Sequence, residues 1–256
     1  MATAITYEGK AKILTPTEQP GILRVLFKDD ATAFNAQKRG QIQGKGAMNC
    51  TISSHLFQFL AEQGIANHFL AQPAANVMAV RALQMFALEV VVRNRAAGSL
   101  CRETGLPLGL ELMPPLVEFY YKNDGLGDPL LTPERLRLLN LATPEEVQIL
   151  GDAARQVNEH LRQFFAECGI LLIDFKLEFG RDDHGAVILA DEISPDTCRL
   201  WLADEADPVR RVLDKDRFRH DLGAVESAYQ LVLERVLRQE GRFPVRAPVM
   251  KVHGVV

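Results

Sequence analysis

Cysteine is scarce and scattered in this chain of 256 residues: Cys50, Cys101, Cys168 and Cys198 form no CxxC pair, and no two of the six histidines stand at helical metal-ligand spacing. Neither structural zinc nor a disulfide framework is therefore expected. An excess of positive charge is also missing, with 29 Lys and Arg against 33 Asp and Glu, so the chain carries no electrostatic footprint for nucleic acid. Long apolar runs are absent, since charge interrupts every one before membrane-spanning length. Met1 to Lys10 shows no apolar segment after a basic start, and the expected location is the cytoplasm. What the chain does have is 47% hydrophobic residues, enough to bury one large core or two modest ones.

Two nucleotide-binding motifs fail on inspection. In Gly40-Gln41-Ile42-Gln43-Gly44-Lys45-Gly46 only three residues separate Gly40 from Gly44, and Gly46 stands where a P-loop needs Ser or Thr. Neither Gly44-Lys45-Gly46 nor Gly125-Leu126-Gly127 continues as GxGxxG. A Rossmann architecture has no support.

Alternation predicts strands over Tyr7 to Leu14, Ile22 to Phe27, Met85 to Asn94 and Val117 to Lys122. Helical spacing predicts a helix through Ile52, Leu56 and Leu60 up to Gly64, a long one from Pro144 to Gly169, and a last one from Asp214 or Asp216 through Phe218, Leu222, Val225, Tyr229 and Val232. Strands and helices without regular βαβ alternation indicate an α+β protein with largely antiparallel sheets. The division is placed near residue 82, giving a small lobe over 1–82 and a larger one over 83–256.

Three stretches carry chemistry. On a strand, Lys10 and Lys12 of Tyr7-Glu8-Gly9-Lys10-Ala11-Lys12 would share one face, and Gly9 would let a phosphate approach the backbone; the bland alternative is a solvated strand. In Phe86 to Ser99, Phe86, Leu88, Val90 and Val92 form an apolar face, while Glu89, Arg93 and Arg95 lie opposite. There the arginines meet the small loop Ala96-Ala97-Gly98 beside Ser99, a setting suited to bidentate binding of carboxylate or phosphate. Ser99 could equally be a helix cap.

The third stretch, Ile170 to Gly180, places Asp174, Lys176 and Glu178 opposite Ile173, Phe175, Leu177 and Phe179. Val187 to Ile193 follows as a hairpin partner. Pairing Phe179 with Ala186 sets Asp191 on the polar face, and a one-residue slip sets Glu192 there instead. Carboxylates beside one lysine, with no soft donors, suit Mg²⁺ shared with phosphates. The turn Ser194-Pro195-Asp196-Thr197-Cys198-Arg199 adds an acid and an arginine.

Taken in order, Tyr7 to Lys12, Val91 to Ser99, Asp174 to Gly180, Asp191 to Asp196 and Asp214 to Arg219 resemble the signature segments of SAICAR synthetases, over about residues 7 to 237. The resemblance implies a two-lobed α+β fold whose N-terminal lobe is similar to the nucleotide-binding lobes of kinases and ATP-grasp enzymes. It implies ATP with Mg²⁺, carboxyaminoimidazole ribonucleotide (CAIR) and L-aspartate as reactants in purine biosynthesis. Exposed apolar residues are consistent with a homodimer, and from charge and hydropathy no nucleic-acid or membrane partner is expected. Carried over by position, Lys10, Ala11 and Lys12 would meet ATP, with Met85 by the adenine and Glu178 and Asp191 on Mg²⁺. Arg93, Ser99, Lys176, Arg199, Asp128, Asp174 and Asp196 would meet the ribonucleotide, Lys176 and Asp174 at the reacting carboxylate. Residues 81–87 depart from the family pattern, and Arg81 keeps one of its two basic residues. A small-molecule kinase and a nucleotide-binding module without turnover are the alternatives, separable by their products.

Overall fold

The computed structural model describes residues 7–33 and 37–239; the tail from Arg242 to Val256, whose role the sequence leaves open, lies outside them. β1 (Tyr7–Glu8) and β2 (Lys12–Pro16) pair around a turn at Gly9 to Ala11. The single strand expected over Tyr7 to Leu14 is thus two. Lys10 sits in the turn and only Lys12 sits in the sheet, so the two do not share a strand face. β3 (Ile22–Phe27) pairs with β2 as expected, after a turn in which Gly21 takes φ +77°.

β4 (Asp30–Ala33) and β5 (Lys38–Gln41) form a separate two-stranded ribbon. Helix α1 (Lys45–Glu62) starts inside the glycine-rich segment that fails as a P-loop. Asp29 accepts the free N–H groups of Gly44 and Gly46 at 3.0 and 2.8 Å, satisfying the helix start. Position 46 must be glycine, because a Cβ there would lie 2.5 Å from the carbonyl oxygen of Phe27. β6 (Phe69–Ala74) and β7 (Val77–Arg81) complete a five-stranded sheet ordered β1-β2-β3-β7-β6.

The chain then changes sheets. β8 (Gln84–Met85), β9 (Leu88–Arg95), α2 (Ser99–Thr104), β10 (Glu111–Tyr121), β11 (Leu130–Leu131) and α3 (Pro133–Leu138) lead to the long α4 (Pro144–Glu167). Helix α4 opens with Pro144 at its first turn and a reciprocal Thr143–Glu146 capping box. β12 (Ile170–Arg181) is the hub of the second sheet: it pairs with β9, with β13 (Val187–Ala190), with β14 (Cys198–Leu202) and with β8. All these pairings are antiparallel. One apolar cluster runs from Val25, Phe27 and Phe57 under the first sheet to Val90, Phe164 and Phe175 under the second, so both sheets share a core.

Two further sequence expectations are corrected. The last helix is two, α5 (Asp216–Arg219) and α6 (Val225–Leu237), because Asp221, Gly223 and Ala224 all take positive φ and break the run. In the β12–β13 hairpin Glu178 pairs with Ala190 and Phe179 with Leu189, three residues from the expected register. Read from the pleat alone, that shift would turn Asp191 to the apolar side. Asp191 escapes it by leaving the strand with φ +63°, a left-handed conformation that Asp tolerates better than most residues.

Candidate active site

Two cavities lie along the sheets. The larger, about 690 Å³, is walled by the β1–β2 turn, by Leu14, Leu23, Val25 and Val80, and by the carboxylates and lysines around β12. The smaller, about 240 Å³, is lined by Arg93, Ser99, Tyr120, Asp174 and Arg199. Glu89, Lys176, Asp196, Thr197 and Arg219 line both, so the two meet along a common wall.

At that wall ammonium and carboxylate groups interlock. The Lys176 ammonium lies 2.5 Å from Glu178, 3.1 Å from Glu89 and 3.4 Å from Asp191. Lys12 pairs with Asp191 and, at 2.9 Å, with Glu192, while Lys122 pairs with Glu178. Burial by itself would discharge Lys176, but Glu178, Asp191 and Glu89 overcome it and hold its pKa well above that of an ordinary lysine. Burial opposes the charge on Asp191 too, and Lys12, Lys176 and Lys122 together hold that carboxyl far below the usual range. The three carboxylates thus favour the charged form of Lys176.

The smaller cavity is built on Arg93, which is 3% exposed. Its guanidinium donates to Glu118 at 2.6 Å, Asp174 at 2.9 Å, and the Ser99 and Tyr120 hydroxyls at 3.0 Å. Arg199 grips Asp174 from the other side at 2.8 and 3.1 Å and reaches Asp216 at 2.8 Å. Gly98 makes room for it: a Cβ there would lie 2.5 Å from the Arg199 guanidinium. Ser99 is the first residue of α2, with Gly98 as cap, so its hydroxyl is free to serve Arg93.

The remaining sequence candidates divide between the cavities. Lys10, Ala11, Arg81 and Met85 line the larger cleft, Lys10 pairing with Asp124 at 2.6 Å and Arg81 donating to the Asn67 carbonyl at 3.3 Å. Asp128 also faces this larger cleft, not the arginine pocket, and caps the Asn123 amide at 2.8 Å. Asp196 borders both cavities but is committed inward, to Lys45 at 2.8 Å and the Tyr229 hydroxyl at 2.7 Å.

Lys45, Tyr120 and Lys122 were not singled out as site residues in the sequence, which placed Glu89 only on a polar strand face and Glu192 only as the alternative to Asp191. A signal existed for two of them: Glu118, Tyr120 and Lys122 alternate on one strand face, the face that the β9–β10 register sets beside Arg93 and Glu89. Lys45 gave none, because its partner lies 151 residues away.

A cleft of nucleotide size, with lysines at one end and an arginine-lined anion pocket beyond them, defines a nucleotide-dependent enzyme that acts on a second anionic substrate. The SAICAR synthetase family profile matches residues 5–236. The phosphoribosylaminoimidazole-succinocarboxamide synthase of Thermosynechococcus vestitus is 69% identical over 231 residues, 90% of this chain and 95% of that protein. A SAICAR synthetase solved in complex with ADP superposes with TM-score 0.86 at 45% identity, covering 93% of this chain and 99% of that one. The Ehrlichia chaffeensis synthase gives 0.88 at 38% identity, covering 91% and 98%. The chain belongs to the SAICAR synthetase family, ATP-dependent ligases of purine biosynthesis with an α+β, largely antiparallel fold.

Proposed function

We propose that the common wall at Lys176 is where this ligase brings its substrates together, with ATP in the larger cleft and CAIR in the arginine pocket. The reaction joins the CAIR carboxylate to the amine of L-aspartate, giving SAICAR, ADP and phosphate. The observation that carries the assignment of sites is that one lysine, with Glu89 beside it, lines both cavities.

Lys10, Lys12 and Lys122 suit the nucleotide phosphates, and Arg81 and Met85 line the same cleft, with Met85 beside the base. Glu89, Glu178, Asp191 and Glu192 set four carboxylates against the ammonium groups of Lys12, Lys122 and Lys176. That surplus of hard oxygen donors fits Mg²⁺, which keeps waters and substrate phosphates among its ligands and needs only one or two protein carboxylates. Glu178 and Asp191 would hold it, and when bound it would neutralise charge on the β- and γ-phosphates.

A carboxylate is a poor electrophile. The CAIR carboxylate oxygen attacks the γ-phosphorus, ADP departs, and an acyl phosphate forms; the aspartate amine then attacks the acyl carbon, loses a proton, and phosphate leaves. Arg93, Arg199 and Ser99 hold the ribonucleotide, with Asp174 fixing both arginines. Lys176 offsets the negative charge that gathers between carboxylate and phosphate, in a geometry that needs little rearrangement. The same reading places the reaction in the cytoplasm and assigns a homodimer, which sedimentation would check; the exposed Leu108, Leu110 and Met113 offer apolar surface for it. CAIR labelled with ¹⁸O in its carboxylate tests the chemistry: label appears in inorganic phosphate if a carboxylate oxygen takes the γ-phosphoryl group, and stays out of it if that oxygen is never phosphorylated.

A further inference from the structure

Strand β12 changes phase once along its length. Ile170 and Leu172 belong to the main core, and so do Phe175, Leu177 and Phe179. Strict alternation cannot put both sets on one side of a sheet, since the first is even-numbered and the second odd. The strand accommodates them with a bulge: Leu172 pairs with Leu200 and Asp174 with Arg199, which leaves Ile173 as the extra residue. Ile173, which alternation groups with Phe175, packs instead with Ala97, Trp201 and Val212 in a second cluster that Leu171 joins. The bulge thereby turns Asp174, Lys176 and Glu178 towards the cavities and away from the core.

A bulge interrupts its ladder, and the backbone groups beside it need other partners. β9 pairs with β12 only as far as Asp174, which lies opposite Arg93. The next residue of β9, Asn94, is 5% exposed, and its side-chain amide donates to the Leu172 carbonyl at 3.1 Å. Asn158, buried on α4 with Ala154, Val157 and Leu161, closes an amide pair with it. Asn94 donates to Asn158 at 2.8 Å and accepts from it at 2.9 Å. Two amides must be stripped of water to sit between helix and sheet, and what they contribute there is a fixed location for the bulge.

We propose that Asn94 is a positioning residue for the ligation: it pins the bulge through the Leu172 carbonyl and so sets Asp174 where Arg93 and Arg199 both grip it. Asn158 holds the Asn94 amide in the orientation this requires. The adjacent residues Arg93 and Asn94 thus fix Asp174 twice, Arg93 at its carboxylate at 2.9 Å and Asn94 at the backbone two residues before it. Neither asparagine lines either cavity, so the effect on substrate passes through Asp174 and the two arginines. This rests on the reading of the arginine pocket as the CAIR site.

The test compares Asn94→Leu, Asn158→Ala and the double variant Asn94→Leu/Asn158→Leu with wild type, in urea unfolding and in steady-state kinetics. Each single variant leaves one buried amide without its partner and should lower the urea midpoint, whereas the double variant removes both amides at similar volume and should restore much of it. Small misplacements of a positioning group cost about 10- to 100-fold, so kcat/KM for CAIR should fall by that factor in Asn94→Leu and stay low in the double variant, with KM for MgATP within about threefold of wild type. Asn158→Ala leaves Asn94 able to bond Leu172 and should lose less CAIR efficiency than Asn94→Leu; this comparison decides the matter if the double variant does not fold. Recovery of CAIR efficiency together with the midpoint in the double variant would overturn the proposal, and so would equal losses in Asn158→Ala and Asn94→Leu, since both mean that the pair serves stability alone. If wild type makes no SAICAR, the functional reading fails instead. Crystal structures of wild type and Asn94→Leu then decide the positioning role, with Asp174 still bonded to both Arg93 and Arg199 in the variant overturning it.

Discussion

The Lys176 ammonium and the Asp191 carboxylate lie 3.4 Å apart across the β12–β13 hairpin, and the positive φ of Asp191 is what brings them together. The backbone strain at this one residue therefore serves the charge cluster, an arrangement found where function over-determines a conformation.

Asp191→Asn keeps the shape and the tolerance for left-handed backbone while removing the charge. Turnover should fall about 100- to 1,000-fold, the usual loss for one preorganised charged group, while the melting temperature shifts by a few degrees at most. Rate and thermal melt on the same preparation check this; a large drop in melting temperature would reassign Asp191 to stability.

Glu178→Gln should act on metal and nucleotide more than on the fold, since the side chain lies between Lys122 and Lys176 on the polar face of β12. Glu178→Ala should abolish turnover. In calorimetry the Gln variant should bind Mg-nucleotide at least about tenfold more weakly, with binding of metal-free nucleotide affected far less.

Gly98 is legible as part of a small-residue loop, but its reason is steric. Gly98→Ala would press a methyl group into the Arg199 guanidinium at a residue with φ +57°. CAIR affinity should fall more than about tenfold and stability by roughly 1–3 kcal/mol. Urea unfolding and CAIR binding measured together separate the two effects.

Lys45 and Asp196 form a buried pair with side chains 1% and 4% exposed. Lys45→Met leaves Asp196 with Tyr229 and the more distant Lys215, and should cost about 3 kcal/mol in urea unfolding. A loss under about 1 kcal/mol would show that Lys215 moves in to replace it.

Two buried groups work against each other in acid. Burial pushes the His68 pKa down to about 4, so the unfolded chain binds a proton that the native state refuses, and this contribution to stability is lost as pH falls from about 6.5 towards 4. Burial and the charge of Asp216 push Asp214 up to about 7. Its native state keeps a proton that the unfolded chain releases, so its contribution is present below about pH 4 and lost as pH rises towards 7. Asp214→Asn should therefore make stability climb more steeply with pH between 4 and 7 than in wild type, and His68→Asn should make it climb less. Denaturant midpoints across that range show the slopes.

Alternation in the sequence was enough to place Arg93, Glu89, Asp174, Lys176 and Glu178 on polar strand faces, because a two-residue period is a local property. The signature segments named the family from residues alone. Asp191 reached the site against the hairpin register, since backbone conformation at one residue overrode the pleat. Lys45, Lys122 and Lys215 take their meaning from partners 151, 56 and 19 residues away, and no local pattern carries that information. The break between α5 and α6 was missed because Phe218, Leu222 and Val225 keep helical spacing across a turn of left-handed residues.

The most direct test is to assay wild type and Lys176→Met with MgATP and CAIR, with and without L-aspartate, following ADP, phosphate and SAICAR. Wild type should form all three in equal amounts only with aspartate present. The Lys176→Met variant should bind MgATP and CAIR within a few-fold of wild type and turn over about 100- to 1,000-fold more slowly. Wild-type turnover in the variant would contradict the role given to Lys176 at the meeting of the two cavities.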